Sequence, residues 1–189
     1  MDTTVLEADP RVLSDVLIAD LHGSDQRVRA SDTAANRRDF IRTAMAGVEG
    51  MLWFLKVHVF ELPPRTVPSV TKVELDAIFE RSYSVAQNGI VRESPKFLPL
   101  LSGIRLLARV IQRDFPSFDP HFENEGWDRM KRAIEVRNRV THPKSVSDLD
   151  VSLDDVANSR AAFFWAVAFL LRAGAVGAFG PLPADPTPS

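Results

Sequence analysis

The chain contains no cysteine in its 189 residues, which excludes disulfides, thiol nucleophiles and cysteine-ligated metal sites and agrees with a reducing compartment. It also lacks an excess of charge of either sign. Lys and Arg number 23 against 25 Asp and Glu, a formal −2, so no global positive field marks a nucleic-acid binder. No hydrophobic run is long. The stretch 161–179 is interrupted by Arg172, and its unbroken part, Ala161 to Leu171, is too short to span a bilayer. A buried helix of a soluble, cytoplasmic protein is the expectation, with no membrane partner. The N-terminal residues Asp2, Glu7, Asp9 and Arg11 leave no apolar h-region, so no signal peptide is expected. Gly-rich phosphate loops, nucleophile elbows and HExxH strings do not occur. His22, His58 and His121 stand at no ligand-like spacing, so neither a zinc site nor another cofactor is expected.

What is present is ordinary core-forming material, 45% hydrophobic and 25% charged. Six segments read as helices, which predicts an all-α chain: one compact bundle over 1–179 and a flexible tail, Gly180 to Ser189, with four prolines. Pro10 to Leu21 has one-sided apolar spacing, and the polar His22 to Arg29 reads as a loop. A long helix follows from Ser31 to about Glu61. Its second half is apolar nearly all round (Trp53, Phe54, Val57, Phe60), which predicts a central place or a covering partner chain. Pro63, Pro64 and Pro68 mark a loop. Thr71 with Glu74 reads as a capping box opening a helix to about Gln87. Asn88-Gly89 is a turn, and Gly89 to Glu93 reads as a short extended piece. Further helices are predicted from Pro95 to Asp114, Glu125 to Thr141, and Ser152 to about Ala175. Trp53, Trp127 and Trp165 are spaced as core or interface anchors.

The stretch that reads as chemistry ends the Glu125–Thr141 helix: Arg137-Asn138-Arg139-Val140-Thr141-His142-Pro143. Pro143 cannot continue the helix and pushes His142 out of the α region. Projected at about 100° per residue, Arg137 falls among Trp127, Met130, Ile134 and Thr141 on the apolar arc. Arg139, Asn138 and Lys131 fall on the opposite side or its edge. A guanidinium cannot shed its proton, so one on an apolar face needs a carboxylate, a polar cavity or an interface that admits an anion. A buried Arg137–carboxylate pair that fixes helix packing is the plain alternative to a functional role. Glu49 is a possible partner. By projection it shares a face with Arg38, Arg42 and Lys56, which reads as a surface ion pair instead. Between Trp127 and Lys144 six basic residues (Arg129, Lys131, Arg132, Arg137, Arg139, Lys144) meet two acids (Asp128, Glu135), a local positive patch in a mildly acidic protein.

The stretch AIEVRNRVTHP resembles the motif of the HEPN superfamily, an Arg followed by four to six residues and a His, with Asn, Asp or His favoured directly after the Arg. Arg137, Asn138 and His142 match each element, near the end of a helix with a further apolar helix behind it. The resemblance implies a homodimer in which two Arg–His pairs line one composite cleft. It implies a metal-independent endoribonuclease for single-stranded RNA, a defence or stress effector whose partners extend to an antitoxin or companion defence protein. In that family pattern His142 moves protons, Arg137 stabilises the phosphorane, and Asn138 orients His142 or binds a phosphate oxygen. Arg132, Arg139 and Lys144 then become contacts to the RNA backbone. The branch paired with a nucleotidyltransferase antitoxin carries a tyrosine two residues after the His; Lys144 stands there, which argues against that branch. Some HEPN-like domains are catalytically idle, so a non-catalytic dimerisation or nucleotide- or partner-binding module is the alternative.

Overall fold

The computed structural model describes residues 10–60 and 69–178. The loop expected at Pro63 to Pro68 and the tail from Gly180 lie outside them. Among the described residues the chain is all-α apart from one hairpin: α1 (Pro10–Ala30), α2 (Ala34–Phe60), α3 (Lys72–Ile78), β1 (Arg81–Val85), β2 (Val91–Pro95), α4 (Leu100–Asp114), α5 (Glu125–Thr141), a 3-10 turn (Val146–Leu149) and α6 (Leu153–Ala178). Contacts group the chain into two compact units, one from Met1–Phe54 with His121–Leu170, the other from Leu55–Pro120 with Leu171–Ser189.

Three boundaries differ from the sequence reading. The polar stretch 22–29 is helix, not loop, because it keeps a helical stripe. Leu21, Ser24 and Val28 are buried at three- and four-residue spacing, and Arg29 donates to Asp25 one turn back at 2.8 Å. The helix opened by Thr71 ends at Ile78, not Gln87. Its capping box forms as expected, with the Glu74 N–H on Thr71 Oγ1 at 3.2 Å and the Thr71 N–H on Glu74 Oε2 at 2.9 Å. Glu80 then turns left-handed (φ 57°), and the alternating Ser82-Tyr83-Ser84-Val85 pairs antiparallel with Val91–Pro95 around Asn88-Gly89, where Gly89 has φ 79°. A period-2 stretch in front of an Asn-Gly turn outweighed the capped start. Because β2 takes Val91–Pro95, α4 begins at Leu100 and not at Pro95.

In the first unit the core is built from α2 (Phe40, Ile41, Ala44, Met45, Val48), α5 (Trp127, Met130, Ala133, Val136, Val140) and α6 (Val156, Ala162, Phe163, Trp165, Ala166, Phe169). Aromatic rings seat the start of α5. Trp127 lies 4.6 Å from Phe122 and 5.0 Å from Trp165 between ring centroids, and Trp165 stacks on Phe169 at 5.5 Å. Gly126 is required by this approach, since a Cβ there would sit 2.5 Å from Trp165 Cδ1. Asn124 caps the helix by accepting the Trp127 N–H at 3.1 Å. Ser152 and Asp155 cap α6 reciprocally, at 3.1 and 2.9 Å. Trp127 and Trp165 are core anchors, whereas Trp53 is 48% exposed, so the all-round apolar half of α2 is not covered on every side in this single chain.

In the second unit Ile78, Phe79 and Val110 form a buried cluster against Val57, Phe60, Leu75 and Leu106. Lys56, placed by sequence on a solvent face, is buried there and pairs with Glu80 at 3.3 Å. No helix among the described residues is long and apolar enough to cross a membrane.

Candidate functional site at the end of helix α5

The last turn of α5 runs Arg137-Asn138-Arg139-Val140-Thr141, and His142 is its C-cap residue with φ −125° and ψ 60°. Pro143 disfavours the α region at this position, and His142 lies outside it. The His142 N–H still donates to the Asn138 carbonyl at 3.0 Å, so the imidazole hangs from a completed final turn. His142 and Asn138 are exposed.

Arg137 does not sit at the middle of the buried face. Burial on α5 drifts around the helix, from Trp127 and Met130 near its start to Val136 and Val140 near its end. At about 100° per residue, Val136 and Val140 centre roughly 80° from Arg137. The arginine therefore lies at the edge of the stripe, with 31% of its side chain exposed. One helical wheel for all 17 residues concealed the drift. The guanidinium has two partners: Nη2 donates to Glu49 Oε1 on α2, and Nη1 donates to Asn138 Oδ1 at 3.1 Å. The reading of Glu49 as a surface pair along α2 is corrected. Asn138 thus serves Arg137 with its side chain and His142 with its main chain.

The other basic residues divide sharply. Arg139 is a clamp within the fold: Nη1 donates to the Asp148 carbonyl at 3.0 Å and to the Asp150 carbonyl, and Nη2 to Asp155 Oδ2 at 2.9 Å. These bonds give Arg139 a structural role that the sequence reading did not assign it. Arg129 pairs with Glu125 at 2.5 Å and Lys131 with Asp128 at 2.6 Å. Arg132 and Lys144 are exposed. Of six basic residues in the patch, four face a carboxylate, so the local positive field is largely compensated.

Three arginines of α2 hold the end of α5 and the segment that follows it. Arg42 donates to the Val140 carbonyl at 3.0 Å, Arg38 to the Leu149 carbonyl at 3.2 Å, and Arg37 to the Val151 carbonyl at 3.0 Å. Arg42 in this way satisfies a carbonyl at the negative end of α5, where a cation is favoured. Asp148 ties the same segment from within. The Lys144 N–H at 2.8 Å and then Ser145 hold its carboxyl below the usual range. His142 accordingly precedes a connection fixed at both ends.

Sequence reasoning missed this frame, although a signal was present. Arg38, Arg42 and Glu49 lie within about 40° of one another on α2. Their charge order, two cations and then an acid, complements the α5 carbonyl end and Arg137. Among the described residues no group of three or more His, Cys, Asp or Glu is placed to hold a metal ion. No family model, curated protein or solved structure matches this chain.

Proposed function

We propose that the chain is a HEPN-type, metal-independent endoribonuclease that cleaves single-stranded RNA at a composite site formed by two copies. The observation that carries the reading is the sharing of Asn138. Its side chain accepts from a partly exposed guanidinium and its carbonyl closes the last turn beneath the exposed His142, where Pro143, Arg37, Arg38, Arg139 and Asp148 hold the backbone that follows. A guanidinium held by two partners beside a fixed backbone suits a site that must present charge in a set geometry. The exposed apolar residues Val146 and Leu153, 82% and 57% accessible, lie just beyond the motif, where a second copy would cover them.

In this reading the 2′-hydroxyl oxygen attacks the adjacent phosphorus as His142 of one copy takes the hydroxyl proton. The bond to the 5′-oxygen breaks as the second copy's imidazole returns a proton to it, leaving a 2′,3′-cyclic phosphate and a 5′-hydroxyl. Arg137 holds the charge that builds on the phosphorane oxygens. Arg132 and Lys144 remain as backbone contacts.

A second reading, a non-catalytic HEPN-like dimerisation or partner-binding module, is favoured by the compensation of Arg137 by Glu49. RNA digestion in excess chelator by wild type, Arg137→Ala and His142→Ala separates the two. Cleavage that survives chelation, yields cyclic-phosphate ends and is abolished by either substitution supports the enzyme. Intact RNA with wild type supports the module. A strict monomer by light scattering removes the composite site.

A further inference from the structure

We infer that Glu49 gates the anion site at Arg137, so that a phosphate gains the Nη2 edge of the guanidinium only by displacing the carboxylate. The inference rests on Arg137 being the anion-binding group of the proposed site. Glu49 reaches it from a different helix, 88 residues away in sequence, and accepts from Nη2 while Asn138 accepts from Nη1. A phosphate approaching the Nη2 side meets an anion already hydrogen-bonded there. Two anions cannot share those donors without strong repulsion. Exchange is sterically open, because the side chains of Arg137 and Glu49 are 31% and 41% exposed.

The size of the barrier follows from that exposure. A half-exposed ion pair is worth little, so the gate costs an incoming phosphate roughly two- to five-fold in affinity. A strand that also meets Arg132 and Lys144 overcomes it, whereas one small anion gains less. The gate weakens both by the same factor, and the preference for a strand over an isolated phosphate rests on Arg132 and Lys144.

The probe is a fluorescein-labelled, 2′-O-methylated single-stranded oligoribonucleotide, which cannot be cleaved by 2′-oxygen attack. Binding is read by anisotropy at fixed low salt in chelator. Glu49→Gln should bind about two- to five-fold more tightly than wild type. The exposed Glu135→Gln on α5 makes the same change in net charge and should give a smaller gain. The Glu49→Gln gain should vanish when Arg137→Ala is added. A gain no larger than that of Glu135→Gln, a gain that persists without Arg137, or no binding by Glu49→Gln overturns the gate. If Glu49→Gln loses its native melt, Glu49→Ala is judged by the same criteria. Unmodified RNA in parallel tests the ribonuclease reading separately: a gate that opens over RNA left intact would keep the first inference and sink the second.

Discussion

Arg139 makes the sharpest claim, because its sequence role and its structural role predict opposite outcomes. Arg139→Ala removes three donations: to the carbonyls of Asp148 and Asp150 and to the Asp155 carboxylate. Hydrogen bonds to charged groups are worth about 1.5–3 kcal/mol when desolvated. Here the two side chains are 31% and 21% exposed, so water partly re-satisfies the acceptors after truncation. The net loss is then about 1–2 kcal/mol. At roughly 2–4 °C per kcal/mol for a chain of this length, Tm should fall by about 2–8 °C. Arg139→Lys should not restore it, since one ammonium cannot reproduce a planar fork spread over three acceptors. Arg132→Ala is the matched control, an exposed position on the same helix, and should stay within about 0.5 kcal/mol of wild type. Circular dichroism melts of the three variants give the ranking. Amide exchange at 144–152 should accelerate in Arg139→Ala alone. Unchanged melting with weakened RNA binding in Arg139→Ala would show that the arginine serves a ligand and would refute the clamp.

Three further outcomes follow from the geometry. Arg137→Ala should cost under about 1 kcal/mol, because Glu49 is left half in water; a loss above about 3 kcal/mol in urea unfolding would instead identify a buried structural pair. Gly126→Ala should destabilise by about 1–3 kcal/mol, the cost of forcing a Cβ against the buried Trp165 ring; an unchanged melt would mean that the ring yields freely. Glu74 titrates at about 2 in the fold, against its ordinary 4.5, chiefly through the Arg113 guanidinium and then through Thr71. Its folded value is the lower one, so its stabilisation is fully present above about pH 4.5 and is lost as pH falls toward 2. A carboxyl NMR titration should show this midpoint and show it rise in Arg113→Ala; a wild-type midpoint near 4.5 would contradict the pairing.

The helices that carry the motif were legible because each was specified by local rules. Pro143 ends α5, and Ser152 with Asp155 begins α6. The hairpin was legible only in fragments: Asn88-Gly89 and the following extended piece were visible, while Ser82 to Val85 was masked by a genuine capping box upstream. Residues 22–29 misled for a different reason. Polarity was read as loop, although Leu21, Ser24 and Val28 kept the helical interval and Asp25 with Arg29 kept the charge pairing. Composition gave one answer and spacing the other, and spacing governs which face can be buried.

The place of Arg137 at the edge of the buried stripe was hidden by a subtler effect. Projecting one helix at a constant angle assumes a straight seam, but a packed helix crosses several neighbours and its buried stripe turns as they change. At Trp127 the neighbours are rings, and the stripe points toward them. By Val140 the stripe has turned, which lifts Arg137 to the edge and brings α2 alongside. An arginine at the edge needs far less compensation than one at the centre, so a single half-exposed carboxylate suffices. A fully buried cation would have demanded a permanent partner, and displacing that partner would cost several kcal/mol. At the edge, the same pair can hold the resting charge in balance and still yield to a phosphate. The displacement of Arg137 from the centre of the buried face is therefore what makes an exchangeable anion site physically affordable at this helix end.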